Sequence, residues 1–142
     1  MREILFRGKE VKSSDWYYGD IFHSSMNVDT ARIHDYINRA NVEIIPDTLG
    51  QYTGLTDKNG TKIFEGDIVK FKHGGEFDKK IYYRNYAVEF INTYVTYGLR
   101  LRNRSIHFPF KKATALQHDA EVIGNIYDTP ELIGGGEQNE NN

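Results

Sequence analysis

Residues 57–71 of the chain read DKNGTKIFEGDIVKF. The pair Asn59-Gly60 predicts a tight turn, because both residues adopt a positive φ at little cost. A second turn is predicted at residues 65–67, with β-prone residues on either side of it. The order strand, turn, strand indicates a small β-rich fold, and a Gly-Asp pair that opens a strand is common in SH3-like barrels.

The polar residues of these turns have a structural explanation and a functional alternative. Gly66 permits a sharp entry into the next strand, and we expect Asp67 to accept backbone N–H bonds at the turn. Glu65 and Asp67 could instead form an acid/base pair or bind a cation, since two carboxylates two residues apart can share a hard ion. Asp57 and Asn59 resemble the start of a calcium loop, but the later ligands of such a loop are missing. The turn interpretation is favoured at both places.

Upstream of these turns, apolar, aromatic and β-branched residues favour strands. The tetrapeptide at 12–15 separates the first two strands and predicts a hairpin. Residues 30–37 fit the periodicity of a strand or of a helix, and the strand is favoured. Pro46 ends the last of these strands, and the two residues after it are expected to cap a single helical turn over residues 49–52. The predicted strands are residues 3–7, 16–22, 30–37 and 42–45.

Downstream, the pattern predicts three more strands, a short helix and a tail. The helix is expected after Pro109, at residues 111–118. Residues 134–142 are rich in Gly, Glu and Asn and cannot bury apolar surface, so we expect a flexible tail. The predicted strands are residues 83–91, 94–101 and 121–127.

Length and composition limit the number of domains. The chain has 142 residues, of which 39% are hydrophobic, 27% charged and 13% aromatic. These values predict one globular domain, which we place at residues 1–133. We expect a mostly β fold with one or two short helices, in which a hairpin-rich N-terminal part at about 1–56 packs on a small SH3-like barrel at about 57–133.

Charge and cysteine content exclude several classes of protein. Lys and Arg total 18 and Asp and Glu total 20, a net charge of -2, so no global basic field attracts nucleic acid or an anionic membrane. The count of 0 cysteines excludes disulfides, thiolate nucleophiles and zinc sites with Cys ligands. The sequence contains neither a signal peptide nor an apolar run long enough for a membrane span. We expect a soluble intracellular protein.

A long block of the sequence resembles a known family. Residues 50–69, GQYTGLTDKNGTKIFEGDIV, closely resemble the signature of the YopX family of phage and prophage proteins. Flanking pieces agree with it: MREILFR at 1–7, WYYGD at 16–20, EVIGNIY at 121–127 and PEL at 130–132. The resemblance implies a phage-derived protein in the cytoplasm of a bacterial host, with a mostly β fold that includes a barrel. It implies no reaction. The turn and motif residues of the block are Gly54, Asn59, Gly60, Gly66 and Asp67.

Residues that carry chemistry do not follow the patterns of known catalytic sites. None of the histidines has the spacing of a zinc site. The chain contains no Gly-x-Ser-x-Gly elbow, and Gly74-Gly75 is not followed by the Lys-Ser/Thr of a phosphate-binding loop. We therefore expect a non-enzymatic protein with no cofactor and no metal.

One basic stretch has functional potential. Arg100, Arg102 and Arg104 alternate with other residues, which would place them on one face of a strand. There they could contact phosphates while tyrosines stack on bases, as in proteins that bind single strands. An acidic protein partner and an ordinary solvated face are the alternatives, and the solvated face is favoured. The residues of this possible site are Arg100, Arg102, Arg104, Lys111, Lys112, Tyr94 and Tyr97.

The aromatic residues bear on partners. Trp16, Tyr17 and Tyr18 could form a second stacking platform, although aromatic clusters in strands usually belong to the core. The many aromatic residues of this short chain indicate self-association, since such residues are enriched in interfaces. We expect a phage-encoded accessory protein that works as a protein-binding or assembly module, as a homo-oligomer or with an unknown host or phage protein, and not at a membrane. Weak nucleic-acid binding through the arginines is the alternative.

Overall fold

The computed structural model describes residues 2–22, 30–77, 79–92, 95–101, 107–109, 113–133 and 138–139. These residues form a mostly β structure with one short α-helix and two 3-10 turns, which confirms the predicted fold class. The chain divides into two compact units, residues 1–54 and 55–142.

The first unit is built from antiparallel strands. Their order across the sheet is β4-β3-β2-β1-β5, and β1 and β2 form the predicted hairpin. A 3-10 turn, Pro46–Thr48, separates β4 from β5. The strands are β1 (Phe6–Lys9), β2 (Trp16–Phe22), β3 (Ala31–Asp35), β4 (Ala40–Ile44) and β5 (Gly50–Thr56), the last of which continues into the second unit.

The helical turn predicted at residues 49–52 is wrong. The turn comes earlier, at Pro46–Thr48, because the hydroxyl of Thr48 donates to the carbonyl oxygen of Ile45 at 2.7 Å and accepts the amide of Lys9 at 2.9 Å. Residues 50–52 belong to β5, whose Tyr52 amide donates to the carbonyl oxygen of Leu5. Sequence alone did not show that this segment has a strand partner.

The strand favoured for residues 30–37 is confirmed, although it ends at Asp35. The carboxylate of Asp35 accepts the amides of Ile37 at 2.9 Å and Asn38 at 3.2 Å, and these bonds form the turn into β4. The side-chain bond from Asn38 opposes the effect of burial and lowers the pKa of Asp35. The side chains that form the core of this unit are Ile33, Val42 and Ile44, which pack against Phe6, Tyr17, Ala40 and Leu49.

The second unit contains a second antiparallel sheet, with the order β10-β9-β8-β7-β11, and β12 pairs with β8. β6 (Lys62–Phe64) is the neighbour of β5 in the first sheet. The helix α1 (Ala113–Asp119) precedes β11, and a 3-10 turn (Pro130–Leu132) follows it. The strands of the second sheet are β7 (Asp67–His73), β8 (Tyr82–Ile91), β9 (Thr96–Arg100), β10 (His107–Pro109), β11 (Ala120–Asn125) and β12 (Gln138–Asn139).

The barrel expected in this part of the chain is not closed in the described residues, which form two open antiparallel sheets. The sheet ends at β11 because the turn after β5 bonds to its outer side. The amide of Lys58 donates to the carbonyl oxygen of Ala120 at 2.9 Å, and the amide of Val122 donates to Oδ2 of Asp57 at 2.8 Å.

Both faces of the first half of β7 are buried, so this part of the strand lies in the core of the second unit. Val69 belongs to a cluster with Ile63, Tyr86, Val88, Leu99, Leu116 and Ala120. Its neighbour Ile68 faces the other way and packs with Ala87 and Ile133. In the predicted tail, Gln138–Asn139 pairs with β8, and the remaining tail residues lie outside the described residues.

Candidate functional site

Arg100 has an acidic partner on the neighbouring strand. Its Nε donates to Oε2 of Glu89 at 2.7 Å, and the two side chains are 33% and 31% exposed. The pair neutralises the one arginine of the predicted site that the structure describes. Arg102, Arg104, Lys111, Lys112 and Tyr94 lie outside the described residues.

Tyr97 is also on β9, but on the other face. It lies opposite Phe90 in the register of β8 and β9, whereas Arg100 lies opposite Ala87. Because side chains alternate along a strand, positions three apart point in opposite directions. The ring of Tyr97 makes an edge-on contact with Phe90, at 5.3 Å between centroids. The structure therefore does not bring Arg100 and Tyr97 together on one binding face.

Gly60 and Gly66 have the geometry predicted for turns, with φ of 79° and 85°. Gly54 also has a positive φ, 87°, but it lies within strand β5. Oδ2 of the buried Asp67 accepts the amide of Phe64 at 2.7 Å, and the amide of Asn59 donates to Oδ1 of Asp57 at 2.9 Å. Within the described part of the chain, no group of three or more His, Asp or Glu residues could hold a metal ion.

The outward side of β2 presents aromatic side chains. Trp16, Tyr18 and Phe22 alternate with Tyr17, which packs against the core of the first unit. Tyr18 is 42% and Phe22 is 39% exposed. We call Trp16, Tyr18, Phe22 and a fourth residue, Tyr36, the aromatic face.

Tyr36 is fixed on this face by polar contacts. Its hydroxyl donates to Oδ2 of Asp20 at 2.7 Å, and its ring meets that of His34 edge-on at 4.4 Å between centroids. The hydrogen bond to Asp20 and the charge of that carboxylate raise the pKa of Tyr36. The hydroxyl therefore stays protonated, while the side chain remains 65% exposed beside Ile37, which is 91% exposed.

Charges around the aromatic face balance one another. The ammonium of Lys9 lies 5.5 Å from the centre of the Trp16 ring, and Arg32 lies opposite Phe22 on β3. Asp20 follows Tyr18 on the outward side of β2, and Glu43 lies opposite Arg32 on β4. The guanidinium of Arg7, 4.7 Å from the centre of the Trp16 ring, is buried. Among the described residues of this face, these accessible charges are two basic and two acidic groups, and the four charges cancel.

The comparisons with known proteins place the chain in a family. The profile of the family described as YopX protein matches residues 5–134. The chain belongs to the YopX family. A solved structure, the crystal structure of protein EF1440 from Enterococcus faecalis, is 19% identical and has a TM-score of 0.56. The similarity covers 93% of this chain and 99% of that chain, and it shows a shared fold.

No curated protein matches this YopX family chain. None of its described helices has the length and apolar character needed to span a membrane. The comparisons thus show the family and a shared fold, and the function has to be argued from the residues of this chain.

Sequence reasoning missed one polar cluster in this YopX family member. Nε2 of His73, on β7, lies 2.8 Å from the hydroxyl of Tyr86, on β8. The imidazole stacks on Tyr82 at 4.9 Å, and Phe71 lies 5.0 Å from it. Burial and the charge of Arg84 lower the pKa of His73, whereas burial raises that of Tyr86. Alternation along the two strands could have shown which residues share this face, but not their register.

Proposed function

We propose that the chain is a phage-encoded accessory protein that acts in the cytoplasm of a bacterial host as a non-enzymatic binding module. Its partner is a protein, which it binds through the aromatic face. The observation that carries the proposal is the exposure of Tyr18 and Phe22 on the same outward side of β2 as Trp16. Trp and Tyr are the residues in which binding energy concentrates at protein interfaces, and Phe is also enriched there.

The charges of the aromatic face support a protein partner over nucleic acid. Nucleic-acid binding depends on Lys and Arg that neutralise phosphates. Here Lys9 and Arg32 are matched by Asp20 and Glu43. The alternative function, in which Arg100 contacts nucleic acid, is not favoured because Arg100 is paired with Glu89. A balanced aromatic surface fits a partner that buries its own apolar and polar side chains against it.

Affinity capture from the cytoplasm of infected or lysogenic cells tests the proposal. The bait proteins are the native chain and the double variant Tyr18→Ser, Phe22→Ser, and each lysate is divided into samples with and without nuclease. We expect a protein that is retained by the native chain after nuclease treatment and lost from the double variant. Truncating two aromatic residues at the centre of an interface costs about 2 kcal/mol or more, enough to lose a partner of micromolar affinity on washing.

A matched control separates this site from general stickiness. Phe77 is 93% exposed and lies in the second unit, so Phe77→Ser removes an exposed ring without touching the aromatic face. The partner should remain bound to this variant. Recovery of nucleic acid that competes with the partner, or equal retention by the double variant, would contradict the proposal. A turnover abolished by one side-chain change would contradict its non-enzymatic part.

A further inference from the structure

A groove of about 300 Å³ lies in the second unit. It is lined by side chains of β7, β8 and β11, by the end of α1 and by the turn after β5. Its volume is at the lower end of the range for small-molecule sites. The groove therefore has room for a small metabolite.

Three lysines line the groove. Lys70 and Lys72 are two residues apart on β7 and so lie on one face, and Lys58 comes from the turn. Glu121 lies opposite Lys70 in the register of β11 and β7, yet its carboxylate is 3.5 Å from the ammonium of Lys58. The ammonium of Lys70 lies instead 4.6 Å from the centre of the Tyr83 ring.

Lys72 has no acidic partner among the described residues, although Asp119 and Glu121 line the same groove. Lysine contributes three ammonium donors and no acceptor, and a phosphate oxygen is a strong acceptor for them. Lys70 and Lys72 thus offer adjacent donors to one anionic group. This arrangement favours an anion at the β7 side of the groove.

The two carboxylates narrow the class of ligand. Asp119 and Glu121 would repel a second anionic group, which disfavours a polyanionic strand running through the groove. Carboxylates accept hydrogen bonds, so they suit the hydroxyl groups of a sugar. We propose that the groove binds a small phosphate monoester that carries hydroxyl groups, with the phosphate on Lys70 and Lys72 and the hydroxyls on Asp119 and Glu121.

Calorimetric titration of the full chain at low salt tests this proposal. The probes are inorganic phosphate, ribose 5-phosphate and adenosine monophosphate. We expect one site per chain that binds both esters more tightly than inorganic phosphate and weakens as salt is added. Equal affinity for the two esters identifies a sugar phosphate as the source, and tighter binding of adenosine monophosphate identifies a nucleotide. Absence of binding overturns the proposal, as does a single-stranded oligonucleotide that binds more tightly than the monophosphate.

Three variants locate the site. Lys72→Gln should weaken binding of ribose 5-phosphate about fivefold, the effect of one partly exposed charge. Lys72→Arg keeps the charge and should bind more tightly than Lys72→Gln. Lys80→Gln removes an exposed lysine of the same unit that does not line the groove, and it should bind like the native chain. Native affinity in Lys72→Gln, or an equal loss in Lys80→Gln, overturns the assignment.

A variant that is expected to strengthen binding separates the proposed site from a folding defect, because a folding defect would weaken binding. Glu121→Gln removes a negative charge and frees the ammonium of Lys58, its partner at 3.5 Å. Inorganic phosphate should then bind more tightly than to the native chain, because the groove gains positive potential. Weaker binding of inorganic phosphate to this variant, with an unchanged melting temperature, contradicts the proposed site.

Discussion

The imidazole of His73 and the phenol of Tyr86 face each other across β7 and β8, with Nε2 2.8 Å from the hydroxyl oxygen. Tyr86 is buried, being 3% exposed, and His73 is half-buried between it and the ring of Tyr82. The pair thus extends the core of the second unit towards the last residue of β7. Burial at this position disfavours the protonated, charged form of the His73 imidazole.

We expect stability to fall in mild acid because of His73. Burial and the Arg84 charge lower its pKa in the folded protein below the usual 6.5, although Asp119 opposes part of this effect. Between the lowered pKa and 6.5 the unfolded chain binds more protons than the folded chain, so stability decreases as pH falls through this window. Well above pH 6.5 the imidazole is neutral in both states, so the free energy of unfolding is no longer reduced by protonation of His73. Urea unfolding at a series of pH values measures it.

His73→Gln isolates the contribution of this histidine. The amide of glutamine can still bond to the hydroxyl of Tyr86, but it does not titrate. The variant should therefore lose less stability than the native chain between about pH 7.5 and about pH 5.5. Equal pH dependence in the two proteins would assign the acid sensitivity to other groups.

Gly19→Ala should destabilise the first unit. A Cβ at this position would lie 1.9 Å from the carbonyl oxygen of His34, and backbone cannot move aside as a flexible side chain can. Strands β2 and β3 would have to separate at this point, at a cost of about 2 kcal/mol or more in the free energy of unfolding. Chemical denaturation followed by circular dichroism measures the change.

A second glycine serves as the control for this effect. Gly60 has φ of 79°, and nothing lies within 4 Å of the point that a Cβ would occupy, so space does not limit a substitution there. Gly60→Asn should cost less than about 1 kcal/mol, since asparagine tolerates the left-handed region. If both variants lost the same stability, the close approach at Gly19 would not be the cause.

Asp57→Ala should lower stability by about 3 kcal/mol or more, because it removes three hydrogen bonds to a buried carboxylate. Oδ1 accepts the amides of Asn59 and Thr61, each at 2.9 Å, and Oδ2 accepts that of Val122 at 2.8 Å. Differential scanning calorimetry measures the loss. Asp47→Ala changes an exposed aspartate and should shift stability by less than about 0.5 kcal/mol. Similar melting temperatures for the two variants would refute this role of Asp57.

We expect the chain to self-associate through the aromatic face. Light scattering at high concentration should give a mass above the 16.4 kDa of one chain. The double variant Tyr18→Ser, Phe22→Ser should return the mass to that of a monomer, since aromatic side chains dominate interface energetics. A monomeric native chain at all concentrations would exclude self-association and leave the proposal of a different protein partner standing.

Local chemistry accounts for what the sequence predicted correctly. The turns at Gly60 and Gly66 follow from positive φ, which is a property of the residue and its immediate neighbours. Alternation along β2 could likewise have separated Trp16 and Tyr18 from Tyr17. It could not show which side faces the core, because that depends on strands that pair later in the chain.

Long-range pairing accounts for most of what the sequence did not predict. The bond between Asp57 and Val122 joins residues 65 positions apart, and no local pattern reports it. The ion pair of Arg100 and Glu89 depends on the register of β8 and β9. Arg100 and Tyr97 lie on opposite faces of β9 because they are three positions apart, a separation that alternation along the strand could have predicted.

The bonds from the turn to β11 also restrict how two copies of the chain can meet. An edge strand with unpaired backbone groups is a template on which another chain can add a strand and begin to aggregate. At β11 the carbonyl of Ala120 and the amide of Val122 are already bonded to Lys58 and Asp57. A second molecule would have to displace both bonds to extend the sheet there. Two copies can therefore associate at β11 only through side-chain contacts. Loss of the Asp57 carboxylate would free the amide of Val122 and allow another chain to add a strand at this edge.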